Sequence, residues 1–400
     1  MRRSIPALII GLLTSQIALS HEAESADKPL VTTGLSVYLS YSYRDKSYLE
    51  TDSEWQIPGA LMGGEALPVE DDAALDDATA DYQYAFSPNN GIQLSAEAHG
   101  GHGETEFKFS HYWYLHQWQL DDAKKLRIEV GRMAGIFTSG ANWHASQDEY
   151  SEASLTSDIF WGRSLIDTGI RGSYFSGPWT LGLGLWQGHS WLADNGSAGD
   201  VFAKYQGNVR AANYTINAWL LAAEADTRRD TRYFGGHAHG NVVVTSSDAN
   251  FSGDIQAYGL DAELSIATST VSQLLLNINL AQLEQNGDLI ESQRSTTLDS
   301  NYLSTQAGIS WRRLQHELAA RYEYINLDNT LSGSAAILVG RNTSLDNPNN
   351  IDPERSTLSY RYHHNKNLSL RAEWVDETVG DFQQDRWVAG FVLRGFFEQP

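Results

Sequence analysis

The 400-residue sequence predicts a transmembrane antiparallel β-barrel of about sixteen strands, exported by a double-membraned bacterium. Three observations predict it: a secretory leader with no later helical anchor, two-residue alternation of apolar and polar side chains, and connections that switch between short and long.

The leader comes first. Arg2 and Arg3 supply a positive start, Ile5 to Leu13 a short apolar run, and Ala18-Leu19-Ser20 small residues at a cleavage point. Residues 1–20 are expected to be a signal peptide and 21–400 the barrel. No later stretch approaches the eighteen apolar residues of a membrane helix.

Composition narrows the class. With no cysteine, a disulfide-stapled scaffold is excluded. A mean hydropathy of -0.39 suits a barrel, in which only every second strand residue meets lipid. The net charge of -22 makes nucleic acid a poor partner. Glu50 to Asp81 carries ten carboxylates and no Lys or Arg, which reads as a solvated loop.

Alternation then locates the strands. Leu35, Val37, Leu39, Tyr41 and Tyr43 alternate with Ser36, Tyr38, Ser40 and Ser42, and Leu318, Ala320, Tyr322 and Tyr324 alternate with Glu317, Ala319, Arg321 and Glu323. Applied throughout, the pattern gives strands at 33–44, 79–86, 91–100, 104–118, 125–133, 166–175, 178–188, 199–209, 212–224, 253–267, 271–284, 300–312, 315–326, 355–364, 367–376 and 385–397. Tight turns such as Ser87-Pro88-Asn89-Asn90 and Ser176-Gly177 alternate with long connections at about 45–78, 134–165, 225–252 and 327–354. Short periplasmic turns and long external loops have this rhythm. Tyr43, Tyr258, Tyr324, Trp374 and Trp387 then fall near external strand ends, and Phe86, Tyr174, Trp179, Trp311 and Phe397 near periplasmic ends, all on the lipid-facing parity.

The opposite parity is polar and includes Arg127, Arg171, Arg321, Arg361 and Arg371 together with Glu97, Glu129, Glu317, Glu323 and Glu373. In a dry core each unpaired ion would cost several kcal/mol. A barrel of about sixteen strands is wide enough to hold water instead. The connection 134–165 carries Asp148, Glu149, Glu152 and Asp158. Set against the arginine wall, it would form a constriction with a transverse field that orients small polar solutes or ions. Individual wall charges can equally pair with one another as structural bridges.

Leu126-Arg127-Ile128-Glu129-Val130-Gly131-Arg132, followed by Ala134-Gly135-Ile136-Phe137, resembles the strand-to-third-loop junction of the phosphate-selective porin O/P-like group. Gly169-Ile170-Arg171-Gly172 through Ser176-Gly177-Pro178-Trp179-Thr180-Leu181 is similar to the hairpin after that loop. The resemblance implies a sixteen-stranded channel with an inward-folded third loop. Porins of this size commonly form homotrimers embedded in outer-membrane lipid and lipopolysaccharide. The chain lacks the proline usual after the Gly-Arg pair of that group, and its third loop is acidic and free of lysine.

Two histidine pairs, His99 with His102 and His237 with His239, lie on external connections where imidazoles could capture zinc or copper; the plainer reading is polar loop histidines. No nucleophile elbow, His-Glu-x-x-His helix or phosphate-binding glycine loop is present, so neither a cofactor nor an enzyme is expected. The alternatives to a porin are a non-conducting receptor barrel and a hydrolase assembled from Ser and His on neighbouring strands.

Overall fold

The computed structural model describes residues 33–47, 57–66, 71–101, 104–190, 192–229, 249–291, 293–343, 345 and 351–398. The expected signal peptide lies outside them.

Strands β1 (Gly34–Arg44), β2 (Asp72–Ser87), β3 (Asn90–Gly101), β4 (Glu104–Asp121), β5 (Lys124–Ala134), β6 (Ile166–Ser176), β7 (Trp179–Trp186) and β8 (Ser197–Val209) form one half of the molecule. The other half comprises β9 (Ala212–Arg229), β10 (Ala249–Ser269), β11 (Ser272–Glu291), β12 (Arg294–Arg313), β13 (His316–Ser332), β14 (Pro353–His363), β15 (Leu368–Val379) and β16 (Phe382–Glu398). Each strand pairs with its sequence neighbour, and β1 closes the ring antiparallel to β16, from Gly34 opposite Glu398 to Arg44 opposite Val388. Closure leaves no unpaired edge, which is what hydrocarbon requires of a β-structure.

All sixteen expected strands are present. β2 starts at Asp72 rather than residue 79, so the end of the acidic run is strand, and Asp77 is buried instead of solvated. β9 to β13 extend further toward the loop end than alternation marks. There the two-residue signal is broken by runs of polar and small residues, as in Asn286-Gly287-Asp288 on β11 and Ser295-Thr296-Thr297 on β12.

The outward parity forms the apolar belt. Leu183, Leu185, Ile216, Ile278, Ile309 and Leu318 are all exposed. Tyr43, Tyr258 and Trp387 are exposed at one rim, and Phe86, Trp179, Trp311 and Phe397 at the other. Such a continuous exposed apolar surface is stable only against lipid, so the barrel is of the outer-membrane type.

The lumen is not uniformly wet. In its loop-end half the inward residues Trp219, Leu221, Ile255, Leu283, Leu289, Leu298, Ile325 and Leu327 join one buried apolar cluster with segments of the loops. Ile57, Leu61 and Met62 come from the first loop, and Leu192 and Val339 from later ones. The third loop adds Phe137, Leu155, Ile159, Phe160 and Trp161. Each such Leu, Ile or Phe contributes about 1.5–3 kcal/mol on burial. The expectation of a water-filled lumen therefore fails in this half.

Candidate functional site

The third loop, residues 135–165, leaves β5, crosses the lumen and returns to β6. Its two arms are tied to each other, Gly135 N to Leu165 O at 2.9 Å and Trp143 N to Arg163 O at 2.9 Å. At its centre is helix α1 (Leu155–Trp161). The Ser154 side chain caps its start by accepting from Ser157 N, and Gly162 ends it in the left-handed region at φ 57°. Gly162 also lets the first loop pass backbone to backbone, because a Cβ there would stand 2.6 Å from Gly63 O. Glu65 N donates to Gly162 O across that crossing.

Two sides of the barrel hold this loop. On one, Phe137 O accepts from Asn217 Nδ2 at 2.6 Å and Thr138 Oγ1 donates to Asp261 at 3.3 Å. On the other, a belt of arginines on β1 and β13–β16 grips residues 145–155. Arg386 Nε lies 2.9 Å from Glu152 and its Nη1 is 3.0 Å from Glu377. Arg355 pairs with Glu377 at 2.7 Å and donates to Ala153 O at 2.8 Å. Arg361 donates to the Asp148 and Glu149 carbonyls at 2.6 and 2.7 Å. Arg371 donates to Ala145 O at 3.1 Å and pairs with Asp76 at 2.8 Å, and Asp76 also pairs with Arg44 at 2.7 Å. Arg321 donates to the Glu152 and Ala153 carbonyls and stands 4.3 Å from the Tyr150 ring. Wall carboxylates answer from the same strands: Glu373 accepts from Ser151 N at 3.1 Å and Glu323 from Leu155 N at 2.8 Å.

The expected arginines thus divide into two groups. Arg321, Arg361 and Arg371 touch the loop directly. Arg127 and Arg171 stand on β5 and β6; Arg171 pairs with Glu129 at 2.7 Å, and Arg127 lies 5.5 Å from the Phe175 ring. Of the loop acids, Glu152 enters the arginine belt, and Asp158 pairs within the loop with Arg163 at 2.7 Å. The Asp148 side chain accepts from Tyr150 N at 3.1 Å. Arg44, Arg355, Arg386, Asp76 and Glu377 were missing from the sequence-based set. Parity could have found four of them, since Arg355 shares its face with Arg361, Glu377 with Glu373, Arg386 with Arg394, and Arg44 with Ser42.

The protonation of the loop follows its contacts. Loss of hydration would raise the Glu152 carboxyl, but Arg386 and Arg44 overcome it and hold the group well below the usual range. Glu149 borders the cavity yet lies deep in the barrel, and desolvation followed by the Glu317 and Asp148 charges pushes it up to about 8. His144 loses hydration too, but Asp77 and Glu97 raise it on balance, with Nδ1 3.5 Å from Asp77.

Beside the loop, toward the turn end, lies a cavity of about 830 Å³. Arg127, Glu129 and Arg171 border it on the β5–β6 side, and Asn217, Asp261, Asn277 and Asn279 on the β9–β11 side. Its roof includes Trp143, Gln147 and Tyr150 of the third loop. His99 stands on β3, while His102, His237 and His239 lie outside the described residues. Among the described residues no group of three or more His, Cys, Asp or Glu could hold a metal ion.

No protein-family model matches the chain, the phosphate-selective porin group included, and no curated protein matches it at significance. Solved structures match its fold over nearly the whole length. OprB of Pseudomonas putida in its high-pH form is 12% identical, with a TM-score of 0.52 over 91% of this chain and 94% of that one. The outer membrane channel DcaP of Acinetobacter baumannii is 11% identical, with a TM-score of 0.51 over 90% and 96%. The loop L8 deletion mutant of OmpT, an outer membrane protein of Vibrio cholerae, is 10% identical, with a TM-score of 0.51 over 91% and 100%. At such identities the likeness concerns architecture, and this chain has the sixteen-stranded, porin-like barrel fold of outer-membrane proteins.

Proposed function

We propose that the protein is an outer-membrane porin through which ions or small hydrophilic solutes diffuse passively, with the third loop as its constriction. The observation that carries the reading is the polar cavity of about 830 Å³ lying inside the barrel directly against that loop. Charged walls of this kind are tolerable where water and solutes reach them and costly in a dry interior. No catalytic step is part of the reading. The phosphate-selective resemblance adds no solute, because carboxylates share the cavity wall with its basic groups. Insertion among lipid and lipopolysaccharide as a homotrimer belongs to the same proposal, and sedimentation of the detergent-purified protein tests the stoichiometry.

Planar-bilayer recording tests the function. Ohmic current steps with a reversal potential set by a salt gradient support the porin. A silent bilayer containing folded barrels would favour a receptor, and the apolar packing of the loop-end half supports that second reading.

A further inference from the structure

On the loop-end side of the third loop, a segment of the first loop, residues 57–66, also crosses the lumen. At one end Tyr302 Oη of β12 donates to Gly59 O at 2.9 Å, and Asn329 Nδ2 of β13 donates to the same carbonyl at 2.6 Å. Arg228 of β9 donates to Leu61 O at 3.3 Å. At the other end Glu65 pairs with Lys108 of β4. These anchors lie nearer the loop end than the cavity residues of the same strands, Arg228 beyond Asn217 on β9 and Tyr302 beyond Gln306 on β12. In the sixteen-stranded ring, β4 and β12 stand on opposite walls. Such a ring, with strands about 4.8 Å apart and tilted about 40°, is about 30 Å across. The chain from Gly59 to Glu65 covers at most about 20 Å, and the Lys108, Glu65 and Tyr302 side chains supply the rest.

The segment lies directly across the third loop. Glu65 N donates to Gly162 O at 2.9 Å, and Ser164 Oγ donates to the Glu65 carboxylate at 3.0 Å. Gly64, at φ 65°, permits the close crossing, because a Cβ there would stand 2.8 Å from Gly162 O. The two ends of the segment differ in hydration. Ile57, Ala60, Leu61 and Met62 are at most 3% exposed and belong to the apolar cluster, which Ala66 alone joins at the other end. The Lys108 and Glu65 side chains are 43% and 23% exposed, whereas those of Arg386 and Glu152, which clamp the third loop, are 0% and 5% exposed. An ion pair open to water is weak and screened by salt, and a buried one is screened far less.

We propose that residues 57–66 are a lid over the constriction, hinged at the apolar end, 57–62, and latched by the Glu65–Lys108 pair, a device that rests on the porin reading. The cavity lies on the turn-end side of both loops, so a solute arriving from the loop end meets the lid first. The arginine belt keeps the third loop in place, and the lid is released at its hydrated end. Departure of Glu65 also removes the partner of Ser164 Oγ and the donor to Gly162 O, so opening loosens the third loop just after α1. Screening of the latch makes the lid respond to ionic strength.

Planar-bilayer recording of the full barrel tests the lid. Lys108→Gln is expected to raise the open probability about threefold, and salt of about 1 M should do the same in the parent but little in the variant. Because the chain has no cysteine, Glu65→Cys with Lys108→Cys lets a reducible bismaleimide span the latch. Linking should abolish the current and a reductant should restore it. Heat-modifiable gel migration verifies that each variant barrel is folded. A second readout needs no current. Ala66 is 4% exposed, and Ala66→Cys should be labelled from outside intact cells by a charged thiol reagent about threefold faster when Lys108→Gln is added. Unchanged open probability in Lys108→Gln, or full current through the linked barrel, would overturn the lid. The labelling separates the two claims: a conducting barrel whose labelling ignores Lys108 overturns the lid alone, and a silent barrel whose labelling follows Lys108 overturns the porin alone.

Discussion

The two long walls of the lumen use the same inward parity differently. On β13–β16 and β1 it carries arginines and carboxylates that grip the third loop, so that wall is engaged in holding structure. On β9–β11 it changes along the strand, from the apolar Leu221, Ile255 and Leu283 at the loop end to Asn217, Asp261 and Asn279 beside the cavity. An inward charge therefore need not line water, and an inward position need not be polar. What decides is whether a loop segment reaches it.

One large expected effect breaks the arginine wall. Arg386→Met leaves Glu152 and Glu377 without a shared partner, although Arg44 and Arg355 remain near them. The loss should fall near the lower end of about 3–5 kcal/mol, read by urea titration in detergent, with protease cleavage appearing within 145–160. Native-like resistance would mean that the belt does not hold the loop. Trp161→Ala attacks the apolar side instead, and losing that buried ring should cost about 3–5 kcal/mol and raise single-channel conductance as α1 loosens.

Neutralising Asp148, Glu149, Glu152 and Asp158 together sharpens the comparison by changing charge at the proposed constriction. Ion preference should move toward anions, measured as reversal potential in a salt gradient. Unchanged permeability ratios would remove the constriction assignment.

The remaining effect concerns pH. With Glu149 held near 8, the folded protein keeps a proton between about pH 4.3 and 8 that the unfolded chain has released. Stability should therefore fall as pH rises through that window. Glu149→Gln should flatten the profile and raise the melting temperature at pH 9 relative to the parent, with little difference at pH 4. Parallel profiles for both proteins would show that Glu149 titrates normally.

Alternation made the sixteen strands legible because lipid forces every second side chain to be apolar, as along Leu318, Ala320 and Tyr322. It stopped short at the loop ends of β11 and β12, where Asn286-Gly287-Asp288 and Ser295-Thr296-Thr297 break the pattern although the strands continue. The arginine wall was visible as parity, but its pairing was not. Arg386 and Glu152 are 234 positions apart, and only the crossing of the third loop brings them together. Asp76 and Asp77 were hidden by their own neighbourhood, since a dense run of carboxylates looks solvated until Arg44, Arg371 and His144 are placed against it.

Cysteine accessibility measures the division of the lumen most directly, and the cysteine-free chain makes it clean. Asn277→Cys and Leu283→Cys lie on the same face of β11, one at the cavity and one in the apolar packing. A small charged thiol reagent should modify the first in folded protein and leave the second untouched until denaturant is added. Equal, rapid labelling at both positions would show one continuous wet lumen and contradict the account.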